Sequence, residues 1–192
     1  MTKPLPRSFY ARDTRKVAKD LLGKMLVTKL AKGTIKGKIV ETEAYYGEGD
    51  PASHAFRGRT ERAKIMWATP GLAYVYLIYG MYYLFNIVTE KKGKAGAVLI
   101  RALEPQEGIG LMKKMRKTDE IKNLTNGPGK LTQAFAITNK EHKQDLISGS
   151  LVIKEGIREE FKIISTTRIG VSAGGQAKLR FYIKGNEFVS KR

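Results

Sequence analysis

Two carboxylates at alternate positions, Glu41 and Glu43, begin a stretch, 41–50, that contains no lysine or arginine. Side chains at alternate positions of a strand share a face, so Glu41, Glu43 and Tyr45 are predicted to project together. Two interpretations fit this pattern. One is a row of solvated polar side chains on a half-exposed strand, the commonest situation for glutamate. The other is a carboxylate that activates a water molecule.

A single guanidinium, Arg101, interrupts the apolar segment AVLIRALEP. A buried arginine requires a carboxylate partner. A structural ion pair with Glu41 or Glu104 meets that requirement. A pair with Glu43 across the sheet also meets it, and keeps that carboxylate ionised. Spacing in the sequence is compatible with each of these pairings.

Aromatic side chains crowd into residues 74–85. Most of them are predicted to be core, because clustered aromatic residues in strands usually pack there. Tyr79 differs because it precedes Gly80 at a turn, where a large ring projects into solvent and can stack on or between bases. His54 is a weaker candidate. A lone histidine in a loop is usually structural, and only its closeness in sequence to Tyr45 favours a role in a site.

The composition indicates a polyanionic partner. The 192 residues include 36 basic and 18 acidic side chains, a formal net charge of +18. This charge implies nucleic acid or an anionic membrane surface, and the absence of a long amphipathic helix argues against the membrane. The N-terminus lacks the apolar run of a signal peptide, so we expect an intracellular protein. The absence of cysteine excludes disulfides and thiolate metal sites, and with only two histidines we expect no metal site.

The pattern of apolar and turn residues predicts one α+β domain over residues 1–192, with a mainly antiparallel sheet surrounded by helices. The charge-free segment 65–89 is long enough to span a bilayer, but a proline and two glycines divide it, so two buried strands fit better. The predicted helices are 14–22 after an Asp13 N-cap, 60–66, 105–115 from Pro105, and one from Pro128 within 126–137. The predicted strands are 24–30, 35–45, 72–79, 82–90, 96–103, 150–155, 161–168 and 179–184.

A series of segments in the chain resembles the alkyladenine (3-methyladenine) DNA glycosylase family. They are, in order, VETEAYYG, His54 nine residues after Tyr45, PGLAYVYLIYGMYYLFNI, VLIRALEP, NGPGKLTQA, RIGV and LRFYIKG, from about residue 5 to residue 185. The resemblance implies a curved antiparallel sheet and a monofunctional enzyme. Such an enzyme flips a damaged purine, of the 3-methyladenine, 7-methylguanine, hypoxanthine or ethenoadenine class, out of duplex DNA and hydrolyses its N-glycosidic bond. The resemblance implies no cofactor, no metal and no strand cleavage, and we expect a monomer.

The resemblance also implies roles for individual residues. Glu43 is expected to activate the water that attacks C1′, with Arg101 and the main-chain carbonyl of Ile169 at the same water. The expected walls of the base pocket are Tyr45, His54, Tyr76 and Asn86. Within that pocket, the asparagine is expected to disfavour guanine by crowding its exocyclic amino group.

Contacts to the DNA itself are implied for three further residues. Tyr79 is expected to enter the gap that the flipped base leaves, and Lys130 with the Gly129 backbone is expected to contact a phosphate. Many members of the family have serine in place of Gly129, so one hydroxyl contact to phosphate is expected to be absent. The alternative to the enzyme is a non-catalytic basic module that binds nucleic acid through the same surface.

Overall fold

A curled antiparallel sheet, shaped like half a barrel, forms the centre of the fold. In the computed structural model, which describes residues 3–190, its strands are β1 (Met25–Leu30), β2 (Gly33–Tyr46), β3 (Ala73–Ile78), β4 (Tyr82–Val88), β5 (Gly96–Glu107), β6 (Leu151–Lys154), β7 (Ile163–Thr166) and β8 (Arg180–Ile183). Their order is β3-β4-β5-β2-β1-β6, with β8 paired to both β2 and β7. All eight strands predicted from the sequence are confirmed, as is the α+β class.

The long strand β2 carries both carboxylates and changes its neighbour along its length. Its first half pairs with β1, and residues 41–43 pair with β8. Its other edge pairs with β5, and the register between them shifts twice near residue 41. Each shift is a β-bulge, which bends a strand and increases its twist. Two of the three register shifts between β2 and β5 therefore lie next to the carboxylates.

The helices pack around this sheet. The α-helices of the described residues are α1 (Arg7–Tyr10), α2 (Thr14–Asp20), α3 (Ile109–Arg116) and α4 (Pro128–Ala134), and short 3-10 turns lie at His54–Arg57, Lys64–Trp67, Ile121–Asn123 and Asn139–Glu141. The predicted N-cap is confirmed, because the Asp13 carboxylate accepts a hydrogen bond from the Lys16 amide at 3.0 Å. The hydroxyl of Thr42 in β2 donates to the Ala18 carbonyl in α2 at 2.8 Å. The bond from Thr42 fixes α2 against the back of the strand that carries the carboxylates.

Two predicted helices were wrong in their extent. Pro105 does not start a helix but continues β5 opposite Gly37, where the register shifts and the missing N–H of proline is tolerated. The helix begins at Ile109, after Gly108 turns the chain with a φ of 78°. A Cβ at Gly108 would lie 2.6 Å from the Thr34 carbonyl oxygen, so only glycine fits there. The segment 60–66 forms turns and the Lys64–Trp67 3-10 helix rather than an α-helix.

The charge-free segment 65–89 contains β3 and β4, so the prediction of two strands is confirmed. Among residues 3–190, no helix has both the length and the apolar character to cross a membrane. The two strands form a hairpin at the edge of the sheet, and β4 pairs with β5. This hairpin places the tyrosine-rich part of the chain one strand away from β2, with β5 between them.

Candidate active site

Glu43 is completely buried, so the interpretation of β2 as a solvated polar face is wrong. Its Oε1 accepts a hydrogen bond from the backbone amide of Ile169 at 2.8 Å. Its Oε2 accepts from the hydroxyl of Tyr45 at 2.8 Å and from Nη1 of Arg101 at 3.2 Å. A buried carboxylate is tolerated only when it is paired and hydrogen-bonded, and Glu43 meets both conditions.

Arg101 lies between two buried carboxylates. Its Nη1 pairs with Glu43, and its Nε lies 3.3 Å from Oε1 of Glu41. The second contact is an ion pair that lacks the alignment of a hydrogen bond. Glu41 also accepts from Nε of Arg180 at 2.6 Å and from the amide and hydroxyl of Ser190 at 2.7 and 3.0 Å. Two carboxylates and two guanidinium groups thus balance one another inside the sheet. A buried charge cluster is tolerated when each charge is compensated in this way.

The alternative pairing of Arg101 with Glu104 is wrong. Glu104 instead lies 3.0 Å from the amine of Lys38 and accepts from the Asn186 side chain at 2.7 Å. Ala102 pairs with Glu41 and Ile100 with Thr42, which leaves Arg101 as the extra residue of a bulge in β5. A bulge can redirect a side chain, and this one aims Arg101 at the two carboxylates.

A cavity of about 570 Å³ opens beside Arg101. Nine of the ten residues predicted for the site line it: Tyr45, His54, Tyr76, Tyr79, Asn86, Arg101, Gly129, Lys130 and Ile169. The tenth, Glu43, lies behind the side chains that hydrogen-bond it. The volume is within the range of about 300–1,000 Å³ that is typical of small-molecule sites.

Two of the lining residues, Asn86 and Leu99, are aligned with Glu43 across three neighbouring strands. Asn86 in β4 is opposite Leu99 in β5, and Leu99 is opposite Glu43 in β2. Laterally paired residues point to the same face of a sheet, so the amide and the carboxylate share a face. The Asn86 side chain is buried and donates to the Tyr74 carbonyl at 3.2 Å, which fixes its orientation.

Aromatic rings form one wall. The His54 ring packs edge-on against Tyr76 with centroids 4.8 Å apart, and its Nδ1 lies 2.9 Å from the Tyr74 hydroxyl. Desolvation by the wall, and then the guanidinium of Arg62, lower the pKa of His54 to about 4. Burial raises the pKa of Tyr74 and Tyr76. These groups are therefore neutral near pH 7, and His54 acts as a hydrogen-bond partner rather than a cation.

Tyr79 stands at the rim, at the turn of the β3–β4 hairpin. Its side chain is 82% exposed, so the prediction that it projects into solvent is confirmed. Tyr79 has a φ of 52° and Gly80 a φ of 68°, and the Met81 amide closes the turn on the Ile78 carbonyl at 3.2 Å. Two consecutive residues with positive φ make a tight hairpin turn that matches the twist of the strands. This turn carries the ring of Tyr79 at the tip of the hairpin.

A second rim element is the start of α4. The Lys130 amine donates to the side-chain oxygens of Asn123 and Asn126 at 2.5 and 2.8 Å. Burial, and then the charge of Arg116, lower the pKa of Lys130. A Cβ on Gly129 would lie 3.1 Å from the Tyr82 ring, so the glycine allows that ring to pack against the helix.

The sequence profile of the methylpurine-DNA glycosylase family matches residues 8–187. The chain belongs to this family. It is 50% identical over 191 residues to a protein of Carboxydothermus hydrogenoformans, with 98% of this chain and 99% of the relative covered. It is 52% identical to a protein of Prosthecochloris aestuarii, with 96% and 90% covered, and 47% identical to one of Clostridium botulinum, with 97% and 98% covered. All three relatives are provisionally named 3-methyladenine DNA glycosylases.

In this member of the methylpurine-DNA glycosylase family, two arginines contact tyrosines of the pocket. The sequence did not predict either contact. The guanidinium of Arg62 lies 4.5 Å from the ring centroid of Tyr76, and that of Arg168 lies 4.7 Å from the ring centroid of Tyr45. Arg168 also pairs with Asp50. Two features of the sequence could have indicated this pair. Arg168 directly precedes Ile169, and Asp50 lies in the acidic segment 41–50.

Proposed function

We propose that this protein is a DNA glycosylase that extrudes an alkylated purine from duplex DNA and hydrolyses its N-glycosidic bond. Membership of the methylpurine-DNA glycosylase family and the names of its relatives support the class of reaction. The observation that carries the proposal is the buried carboxylate of Glu43, which lies directly behind a cavity with aromatic walls. Both of its oxygens accept hydrogen bonds. The net charge of +18 supports a polyanionic substrate.

Extrusion of the base comes first. Unstacking and unpairing a nucleotide costs about a few kcal/mol, and less for a lesion that pairs badly. The exposed ring of Tyr79 offsets part of this cost by filling the gap in the stack. Lys130 and the Gly129 backbone, at the same rim, contact a phosphate of the lesion strand, and this contact makes binding sensitive to salt.

The cavity then receives the base. The rings of Tyr45 and Tyr76, with His54, supply flat surfaces and hydrogen-bond partners for a purine. Asn86 crowds the position of the exocyclic amino group of guanine, so normal guanine fits badly. Alkylation at N3 or N7 makes the purine a cation, and it departs as a neutral base when the glycosidic bond breaks.

Hydrolysis uses the one lone-pair site of Glu43 that accepts no hydrogen bond from the protein. A carboxylate offers about four lone-pair sites, and Ile169, Tyr45 and Arg101 occupy three of them. The free site on Oε1 accepts a proton from a water molecule. The water oxygen bonds to C1′ as the C1′–N bond breaks, and the bonding electron pair leaves with the base. Arg101 and the Ile169 carbonyl orient the same water.

A base-release assay tests the proposal. Duplexes with one hypoxanthine, one ethenoadenine or one 7-methylguanine are incubated with the protein and then treated with alkali. We expect cleavage at the lesion after alkali and none before it, because a monofunctional glycosylase leaves an intact abasic strand. A duplex that is bound but stays uncleaved after alkali, for every lesion, contradicts the proposal and favours the non-catalytic binding module.

A further inference from the structure

Arg168 has a completely buried side chain and a bidentate partner. Its Nη1 and Nη2 donate to the two carboxylate oxygens of Asp50 at 2.6 and 2.7 Å. Asp50 also accepts from the backbone amides of Tyr46 and Ala52 at 3.0 and 3.2 Å. A planar guanidinium matches a carboxylate in this two-bond geometry, and an amine does not. The pair therefore ties the 168–174 segment to the loop that follows β2.

Three further contacts lead from Arg168 into the site. Its Nη1 donates to the Ala44 carbonyl at 3.0 Å, which lies in β2 between Glu43 and Tyr45. Its guanidinium lies over the Tyr45 ring at 4.7 Å, and because Arg168 does not line the cavity, it supports that ring from behind. The next residue, Ile169, gives its amide to Glu43.

Two of the three donors to Glu43 thus depend on the position of Arg168. One is the Tyr45 hydroxyl, whose ring rests on the guanidinium, and the other is the Ile169 amide, which is one peptide unit away. Burial, and then the charge of Glu43, raises the pKa of Tyr45, so its hydroxyl remains a donor.

We propose that Arg168, held by Asp50, is a positioning residue that sets the orientation of Glu43 and of the Tyr45 wall together. The proposal rests on the glycosylase function proposed above. Its consequence is that the pair acts on the hydrolytic step and on the base wall, while the DNA rim at Tyr79 and Lys130 is left unaltered. Loss of the bidentate geometry should therefore slow base release more than it weakens DNA binding.

The test uses Arg168→Lys, which keeps the charge but loses the planar fork, and Asp50→Asn, which keeps the shape. Base release is measured in single-turnover experiments with saturating enzyme, and affinity is measured on a duplex with a stable abasic analogue. We expect both variants to slow base release at least about tenfold, with affinity changed less than about threefold. The double variant should be no slower than the slower single variant, because residues that act as a unit are not additive.

Arg7→Lys is the matched control, since Arg7 forms an ion pair with Asp145 at 2.6 Å that does not line the cavity. It should leave the rate unchanged. Wild-type rates in both Arg168→Lys and Asp50→Asn would overturn the positioning role, and so would equal losses of rate and affinity. If Arg168→Lys fails to fold, Asp50→Asn decides, and failure of both to fold makes the pair a structural element only. A wild-type protein that releases no base contradicts the proposed function instead.

Discussion

The backbone amide of Ile169 donates a hydrogen bond of 2.8 Å to Oε1 of Glu43. The family resemblance predicts a role for the carbonyl of Ile169, as a ligand of the attacking water, and that role stays a prediction. The structure adds a direct contact between the amide of this residue and the carboxylate. Ile169 therefore fixes the oxygen of Glu43 that still has a free lone pair.

Replacing Glu43 with glutamine should remove base release and keep DNA binding. The amide has nearly the same shape but cannot accept a proton from water, and general-base catalysis contributes about 10²–10⁴-fold to a rate. We expect single-turnover excision to fall by at least that factor, with lesion-duplex affinity within about threefold of wild type. Glu104→Gln is the control, because its carboxylate pairs with Lys38 away from the cavity. Unchanged excision in Glu43→Gln removes Glu43 from the mechanism.

The sequence was sufficient to predict the strand that carries the carboxylates but not their burial. Alternation indicates that Glu41 and Glu43 share a face, which is a property of one strand. The burial of the two carboxylates depends on Ile169, Arg180 and Ser190. These residues lie more than 120 positions after the carboxylates and reach β2 through tertiary contacts. No local pattern contains that information.

The prediction of a helix from Pro105 was wrong for a related reason. Proline favours the first turn of a helix, and the polar residues after it gave no contrary signal. Continued pairing of β5 with β2 prevailed, and the chain turned only at Gly108. The bulge that redirects Arg101 is also invisible in the sequence, because it depends on the register between β2 and β5. The aromatic wall combines Tyr76 of β3 with Tyr45 and His54, which lie more than 20 positions earlier in the chain, so the family resemblance rather than any local pattern indicated it.

Replacing Tyr79 with serine should weaken the retention of flipped DNA without affecting the fold. The ring is exposed and makes no core contact, so the free energy of unfolding should change by less than about 0.5 kcal/mol. Stacking of a ring on a base contributes about 1–3 kcal/mol, or about 5- to 150-fold in affinity. Affinity for a duplex with a stable abasic analogue measures this effect, and thermal unfolding measures stability.

Ile157→Ser is the control for Tyr79→Ser. Ile157 is 80% exposed and does not line the cavity. Its replacement should leave affinity for the abasic duplex unchanged. If Tyr79→Ser unfolds the protein, or binds abasic DNA as tightly as wild type does, Tyr79 is not the intercalating side chain.

Replacing Asn86 with serine should increase the release of undamaged guanine. The shorter side chain leaves room for the exocyclic amino group, and one such steric difference changes discrimination by about 10-fold or more. Loss of the hydrogen bond to the Tyr74 carbonyl should also reduce stability by about 1–3 kcal/mol. The measurement is guanine release from undamaged duplex relative to hypoxanthine release from a lesion duplex. An unchanged ratio argues against the filter role, and Asn186→Ser, outside the cavity, controls for general effects.

His54 should make the protein less stable as the solution is acidified. Its pKa is about 4 in the folded protein, against about 6.5 in the unfolded chain. Between these values the unfolded chain binds more protons, so the free energy of unfolding falls as pH decreases from about 6.5 to about 4 and this contribution levels off below that. His54→Gln should therefore have a flatter pH dependence in urea unfolding. The difference between variant and wild type isolates this contribution from those of the carboxylates.

An imidazole titration measures the same property directly. The chain has two histidines, and the pKa of His142 is also lowered, first by burial and then by Lys143. His142→Gln therefore leaves a single imidazole, whose NMR signal can be followed from pH 3 to pH 8 without overlap. We expect the His54 signal to titrate near pH 4. A midpoint near 6.5 would contradict this expectation, because it would mean that the ring is solvated and protonated in mildly acidic solution.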